Sequence, residues 1–103
     1  MRIGDTEVPD QAVMALCRRW KIRRLDVFGS ARTGMTPESD IDLLVDFESG
    51  ERWSLMDLAG AEVEFACLLG RRVDLVDRKS LERSANTLRR DAILNSSEVL
   101  YAA

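Results

Sequence analysis

The sequence predicts an α/β domain spanning residues 1–103, with a small mixed sheet of about three strands flanked by helices. Three observations carry that expectation. Two stretches, 40–47 and 72–76, alternate apolar and polar residues with period two, the mark of strands buried on one face. Around them lie segments whose apolar residues recur at helical spacing, so strands and helices interleave. The 103 residues, 46% hydrophobic and 32% charged, are enough for one thin core.

The elements follow in order. From Pro9 to Lys21, Val13, Leu16, Cys17 and Trp20 share one helical face, and Pro9 suits a first-turn position. Leu25–Phe28 reads as a short strand that stops at Gly29-Ser30. Ala31 to Ser39 is polar and punctuated by Gly34 and Pro37, which predicts a loop, or a turn of helix followed by a loop. In the strand from Asp40 to Phe47, Ile41, Leu43, Val45 and Phe47 face a core, while Asp40, Asp42, Leu44 and Asp46 point away. Glu48–Glu51 is a turn. Ser54 is an N-cap with Asp57 as its capping-box acid, and the helix runs to Leu69 before Gly70 ends it. Its apolar residues form two stripes, Leu58/Ala61/Phe65/Leu68 and Leu55/Ala59/Ala66/Leu69. That is wider than one core face needs, and leaves surface for another chain. Arg72–Val76 is the next strand, with Val73 and Leu75 inward and Asp74 outward. Ser80 caps a last helix from Leu81 to about Asn95, with Leu81, Ala85, Leu88 and Ala92 inward. Val99-Leu100-Tyr101 is an apolar tail that adds a strand or docks on a partner.

Composition excludes several classes. No apolar run approaches the roughly 20 residues of a membrane span, and the N-terminus lacks a secretory stretch, so a cytoplasmic address is expected. Cys17 and Cys67 stand alone and histidine is absent, which argues against zinc and against a disulfide framework. The net charge of −3 is spread along the chain. A protein gripping long nucleic acid shows a basic excess instead, so a small nucleotide or a protein acceptor fits better.

One constellation carries chemistry. Two positions apart on a strand puts Asp40 and Asp42 about 6–7 Å apart and pointing the same way. Such carboxylates suit Mg²⁺, a hard cation that keeps waters for substrate phosphates. Two ions about 4 Å apart stabilise both oxygens of an in-line displacement. Asp74 is the strand acid placed to complete such a site on the acceptor side. Gly29 lets backbone approach phosphate, Ser30 offers a hydroxyl and an N–H, and Arg32 is a phosphate counter-charge. Each feature alone has an ordinary structural role: a turn, a solvated strand face, a surface cation. Their conjunction, in this order, shifts the balance.

The stretch Phe28-Gly29-Ser30-Ala31-Arg32, followed by Pro37-Glu38-Ser39-Asp40-Ile41-Asp42-Leu43-Leu44-Val45, resembles the signature of the DNA polymerase β-type nucleotidyltransferase superfamily. More narrowly it is similar to the minimal (MNT) branch, and Gly70-Arg71-Arg72-Val73-Asp74 continues the match. By this resemblance Gly29 and Ser30 hold a triphosphate, and Asp40, Asp42 and Asp74 bind Mg²⁺ as two ions, with ATP as substrate. The chain departs from the pattern in having nine residues between Ser30 and Asp40, where the family usually has ten. Minimal members pair with a helical HEPN-domain ribonuclease as antitoxins, and some transfer AMP onto a tyrosine of that toxin. The resemblance therefore implies a hetero-oligomer with a HEPN partner. Two other readings stand beside it: a non-catalytic module that masks the partner, and a small-molecule nucleotidyltransferase subunit of the aminoglycoside-modifying kind.

Overall fold

The computed structural model describes residues 1–29, 40–48 and 54–103. The chain opens on a hairpin, β1 (Arg2–Ile3) and β2 (Thr6–Glu7), whose turn uses Gly4 at φ 63. Helix α1 (Asp10–Arg19) follows, with Pro9 as N-cap, and ends where Lys21 takes the left-handed φ of 58. Strand β3 (Ile22–Phe28) pairs antiparallel with β4 (Ile41–Phe47). Helix α2 (Leu55–Leu69) then carries the chain across to β5 (Val73–Asp77), which lies parallel to β4. A helical crossover is what a parallel pair requires. Two short helices, α3 (Arg78–Glu82) and α4 (Thr87–Ser96), lead to β6 (Glu98–Ala102), antiparallel to β3.

The sheet therefore has four strands in the order β5-β4-β3-β6, not about three. The apolar tail supplies the fourth. Three apolar residues do not declare a strand by themselves; the free backbone edge of β3 makes them one.

The alternation along β4 faces as expected. Ile41, Leu43 and Val45 are fully buried with Leu25, Val27, Val73 and Leu75 beneath α1 and α2, which contribute Val13, Cys17, Ala61, Phe65 and Leu69. Fully burying a side chain such as Phe65 stabilises the fold by about 2–3 kcal/mol. The opposite face differs from expectation, because Leu44 and Asp46 are buried as well. Leu44 joins Phe28, Leu81 and Ile93 in a second, smaller core under α3 and α4.

Local signals set the α2 boundaries. Ser54 and Asp57 form a reciprocal capping box, and Gly70 closes the helix at φ 66. Of the two apolar stripes, Ala61, Phe65 and Leu69 are buried and Leu55 is 78% exposed; Met56 and Val63, outside both stripes, are exposed as well. The surplus apolar width stays on the surface.

The last helix is a correction. It breaks in two because Asp77, rather than Ser80, caps α3, and Asn86 then caps a new helix by accepting from the Arg89 N–H at 3.2 Å. Side chains that bond nearby backbone N–H groups start helices and interrupt them equally well. After this break the inward residues are Ile93 and Leu94, while Ala85, Leu88 and Ala92 are exposed.

Candidate active site

The site lies where β3, β4 and β5 end together. The register sets Phe28 beside Asp42, and Asp42 beside Asp74. Partners on adjacent strands are about 4.8 Å apart and project from the same face, so the two carboxylates are neighbours although 32 residues separate them (74 − 42). Asp40 sits just before β4, two positions from Asp42.

Gly29 ends β3 at φ 70, a backbone conformation that a side chain rarely adopts. A Cβ there would stand 2.5 Å from Asp42 Oδ2. The glycine thus does two things: it turns the chain, and it leaves the space that the Asp42 carboxylate occupies.

Burial is the main cause that lifts the Asp42 carboxyl above its ordinary range. The charges of Asp74 and then Asp40 push the same way, and the Arg89 guanidinium opposes them. Like charges crowded in this manner favour a bound cation, and an all-carboxylate donor set matches a hard one. The chemistry of the donors therefore fits Mg²⁺. A closed cage is not preformed: among the described residues no group of three or more acids or cysteines converges at metal-holding distance. Asp40 is turned instead toward Arg72, whose Nε lies 3.0 Å from its carboxylate.

Asp42 and Asp74 open onto a cleft of about 400 Å³ whose walls include Phe28, Gly29, Arg89 and Ala92. Asp74 also borders a second groove of about 370 Å³, with Asp40, Val63, Ala66 and Arg72. Of the residues expected at the site, the structure brings together Gly29, Asp42 and Asp74 at one cleft, while Asp40 lines the neighbouring groove with Asp74. Ser30 and Arg32 lie outside the described residues.

Sequence reasoning missed Arg89. It is one of several arginine pairs, and only the Asn86 cap, which fixes the start and phase of α4, hints at where it points. Further buried acids serve the fold. Asp26 accepts from Arg24 Nε at 2.9 Å and from Arg78 at 3.0 Å, and Asp46 pairs with Arg23. Glu62 accepts the Leu75 N–H at 3.0 Å on the β5 edge.

Known proteins resemble this chain in sequence and in fold. The nucleotidyltransferase domain model matches residues 10–100. The protein adenylyltransferase MntA of Thermococcus cleftensis is 42% identical over 80 residues, which is 76% of this chain and 79% of that protein. A solved structure provisionally described as a minimal nucleotidyltransferase is 38% identical with a TM-score of 0.66, covering 86% of each chain. A toxin-antitoxin complex with AMP-PNP shares the fold at TM-score 0.70 and 24% identity, over 93% of this chain and 75% of that one. So does a tri-AMPylated Shewanella oneidensis HEPN toxin in complex with its MNT antitoxin, at TM-score 0.61 and 23% identity, over 91% and 70% of the two chains. No helix among the described residues is long and apolar enough to cross a membrane. With that domain model matching residues 10–100 and a curated relative 42% identical over most of both chains, this chain belongs to the nucleotidyltransferase domain family.

Proposed function

We propose that this chain is a Mg²⁺-dependent adenylyltransferase that moves AMP from ATP onto a hydroxyl, a tyrosine's by resemblance, of a HEPN-domain partner it restrains as an antitoxin. The observation that carries this reading is Asp42 standing opposite Asp74 in the parallel register, beside a glycine whose missing side chain makes room for it. The MntA relative is named a protein adenylyltransferase, and the fold is shared by antitoxins solved with AMP-PNP and with an AMPylated HEPN toxin.

In the reaction, the acceptor oxygen forms a bond to the α-phosphorus while the bond from that phosphorus to the α–β bridging oxygen breaks. Pyrophosphate leaves with the electron pair. The acceptor's proton passes to the Asp74 carboxylate and from there to solvent. Asp40, Asp42 and Asp74 would hold Mg²⁺, two ions by the resemblance, which supplies charge stabilisation of the transferring group. Gly29 permits close backbone approach to the triphosphate, while Ser30 and Arg32 are assigned to phosphate binding. The 3.0 Å Arg72–Asp40 pair favours a second reading, a partner-masking module without turnover, since it engages one of the three acids.

One experiment separates the two. The chain is co-expressed with the product of its neighbouring gene, and the intact mass of that product is measured, with Asp42→Asn as control. A gain of one or more AMP units, absent with the mutant, is expected. Co-purification of the two proteins with no mass gain would leave only the masking module.

A further inference from the structure

Asp74 stands on the ridge between the two hollows, and the two differ in kind. The cleft on the α4 side has a glycine backbone bare of Cβ, a guanidinium, and apolar floor residues in Phe28 and Ile93. Arg89, Ala92 and Ser96 recur at i, i+3 and i+7, so one face of α4 forms the wall opposite the acids. Its volume falls in the range of about 300–1,000 Å³ typical of small-ligand pockets. The groove on the α2 side offers none of this. Its guanidinium, Arg72, lies against Asp40, and its far wall is Val63 and Ala66, with Val63 62% exposed.

In-line displacement needs its attacking and leaving oxygens on opposite sides of the phosphorus, so the two ligands must arrive from opposite directions. A triphosphate also brings several negative charges toward three carboxylates, which calls for a cation on its own side. Among the described residues that line the α4 cleft, Arg89 is the one cation. Its backbone N–H is already given to Asn86, so the side chain is what it can offer a phosphate.

We propose that the nucleotide binds on the α4 side of Asp74 with Arg89 contacting its phosphates, and that the acceptor hydroxyl reaches Asp74 from the α2 side past Val63. The inference rests on the adenylyl-transfer reading and adds the sidedness and Arg89. Arg89 acts as a bidentate phosphate ligand.

The test is calorimetric binding of AMP-PNP with Mg²⁺ to the full chain, followed by transfer assays with the co-expressed partner. Arg89→Ala should weaken nucleotide binding roughly tenfold or more, and Arg89→Lys should recover part of that loss. Val63→Trp, at an exposed position, should hold nucleotide binding within about twofold while raising the partner concentration needed for half-maximal transfer. Nucleotide affinity unchanged in Arg89→Ala, or weakened as much by Val63→Trp, would overturn the sidedness. A wild-type chain that binds no AMP-PNP would sink the transfer reading itself, so the two failures are distinguishable.

Discussion

The two faces of the sheet are built on different terms. Toward α1 and α2, strands β3, β4 and β5 present apolar residues: Leu25 and Val27, then Ile41, Leu43 and Val45, then Val73 and Leu75, all buried. Toward α3 and α4 the same strands present Asp26, Asp42, Asp46 and Asp74, with Phe28, Leu44 and Val76 between them. The first face holds the fold together. The second carries charge, and it divides again along the strands. Asp26 and Asp46 are buried and paired with arginines, whereas Asp42 and Asp74, at the open end, border a cleft. Arginine charge offsets the first pair of carboxylates, while carboxylates flanked by other carboxylates invite a cation. Position along one face therefore separates the arginine-paired acids from those we propose as reactive.

Substitutions can break that contrast, and the largest effect is expected from a pair at adjacent positions of β4. Asp42→Ala should lower transfer by roughly three orders of magnitude, about 4 kcal/mol of barrier, yet leave the melting temperature unchanged or slightly raised. Removing crowded charge at a functional site often stabilises. Leu43→Ala, next door but on the other face, should destabilise by about 2–5 kcal/mol through lost burial and a cavity. Chemical denaturation of both variants, beside their transfer rates, reads the crossover. An Asp42→Ala chain that unfolds would make that acid structural and erase the distinction between the faces.

Gly29→Ala sharpens the boundary between fold and site. The left-handed φ costs a side chain about 1–2 kcal/mol, and the new Cβ would press on the Asp42 carboxylate. Stability should fall modestly, and nucleotide binding and transfer should fall with it. A variant that loses stability alone would show that Gly29 serves only as a turn.

The smallest expected effect tests the first face directly. Cys17 is fully buried in the main core, and burial pushes its thiol up to about 12, whereas Cys67 is exposed on α2. At pH 8 a thiol reagent should label Cys67 and spare Cys17 until denaturant is added. Rapid labelling of both in native buffer would mean that the α1 side of the core opens readily.

Much of this was legible from residues that act on their near neighbours. Alternation assigned Ile41, Leu43 and Val45 to the core and Asp40 and Asp42 away from it. The Ser54–Asp57 box and Gly70 set the limits of α2, since a cap and its helix end lie within a few residues of each other. The same local reasoning failed at residues 83–86, where Asn86 restarted a helix that apolar spacing alone ran straight through. It also failed at Leu88, which that spacing placed inside and the broken helix places outside.

What tertiary structure decided is what depends on pairing across distance. The parallel register that sets Asp74 beside Asp42, the recruitment of Glu98–Ala102 as a fourth strand, the burial of Leu44 under α3 and α4, and the burial of Asp26 and Asp46 are all of this kind. So is the placement of Arg89 in the cleft. The sequence by itself determined which residues could be strand, helix, cap and acid, because periodicity and capping are satisfied within a turn or two of chain. Which strand lies beside which, and what then covers each face, is settled only when hydrogen-bond edges and apolar faces distant in sequence find one another.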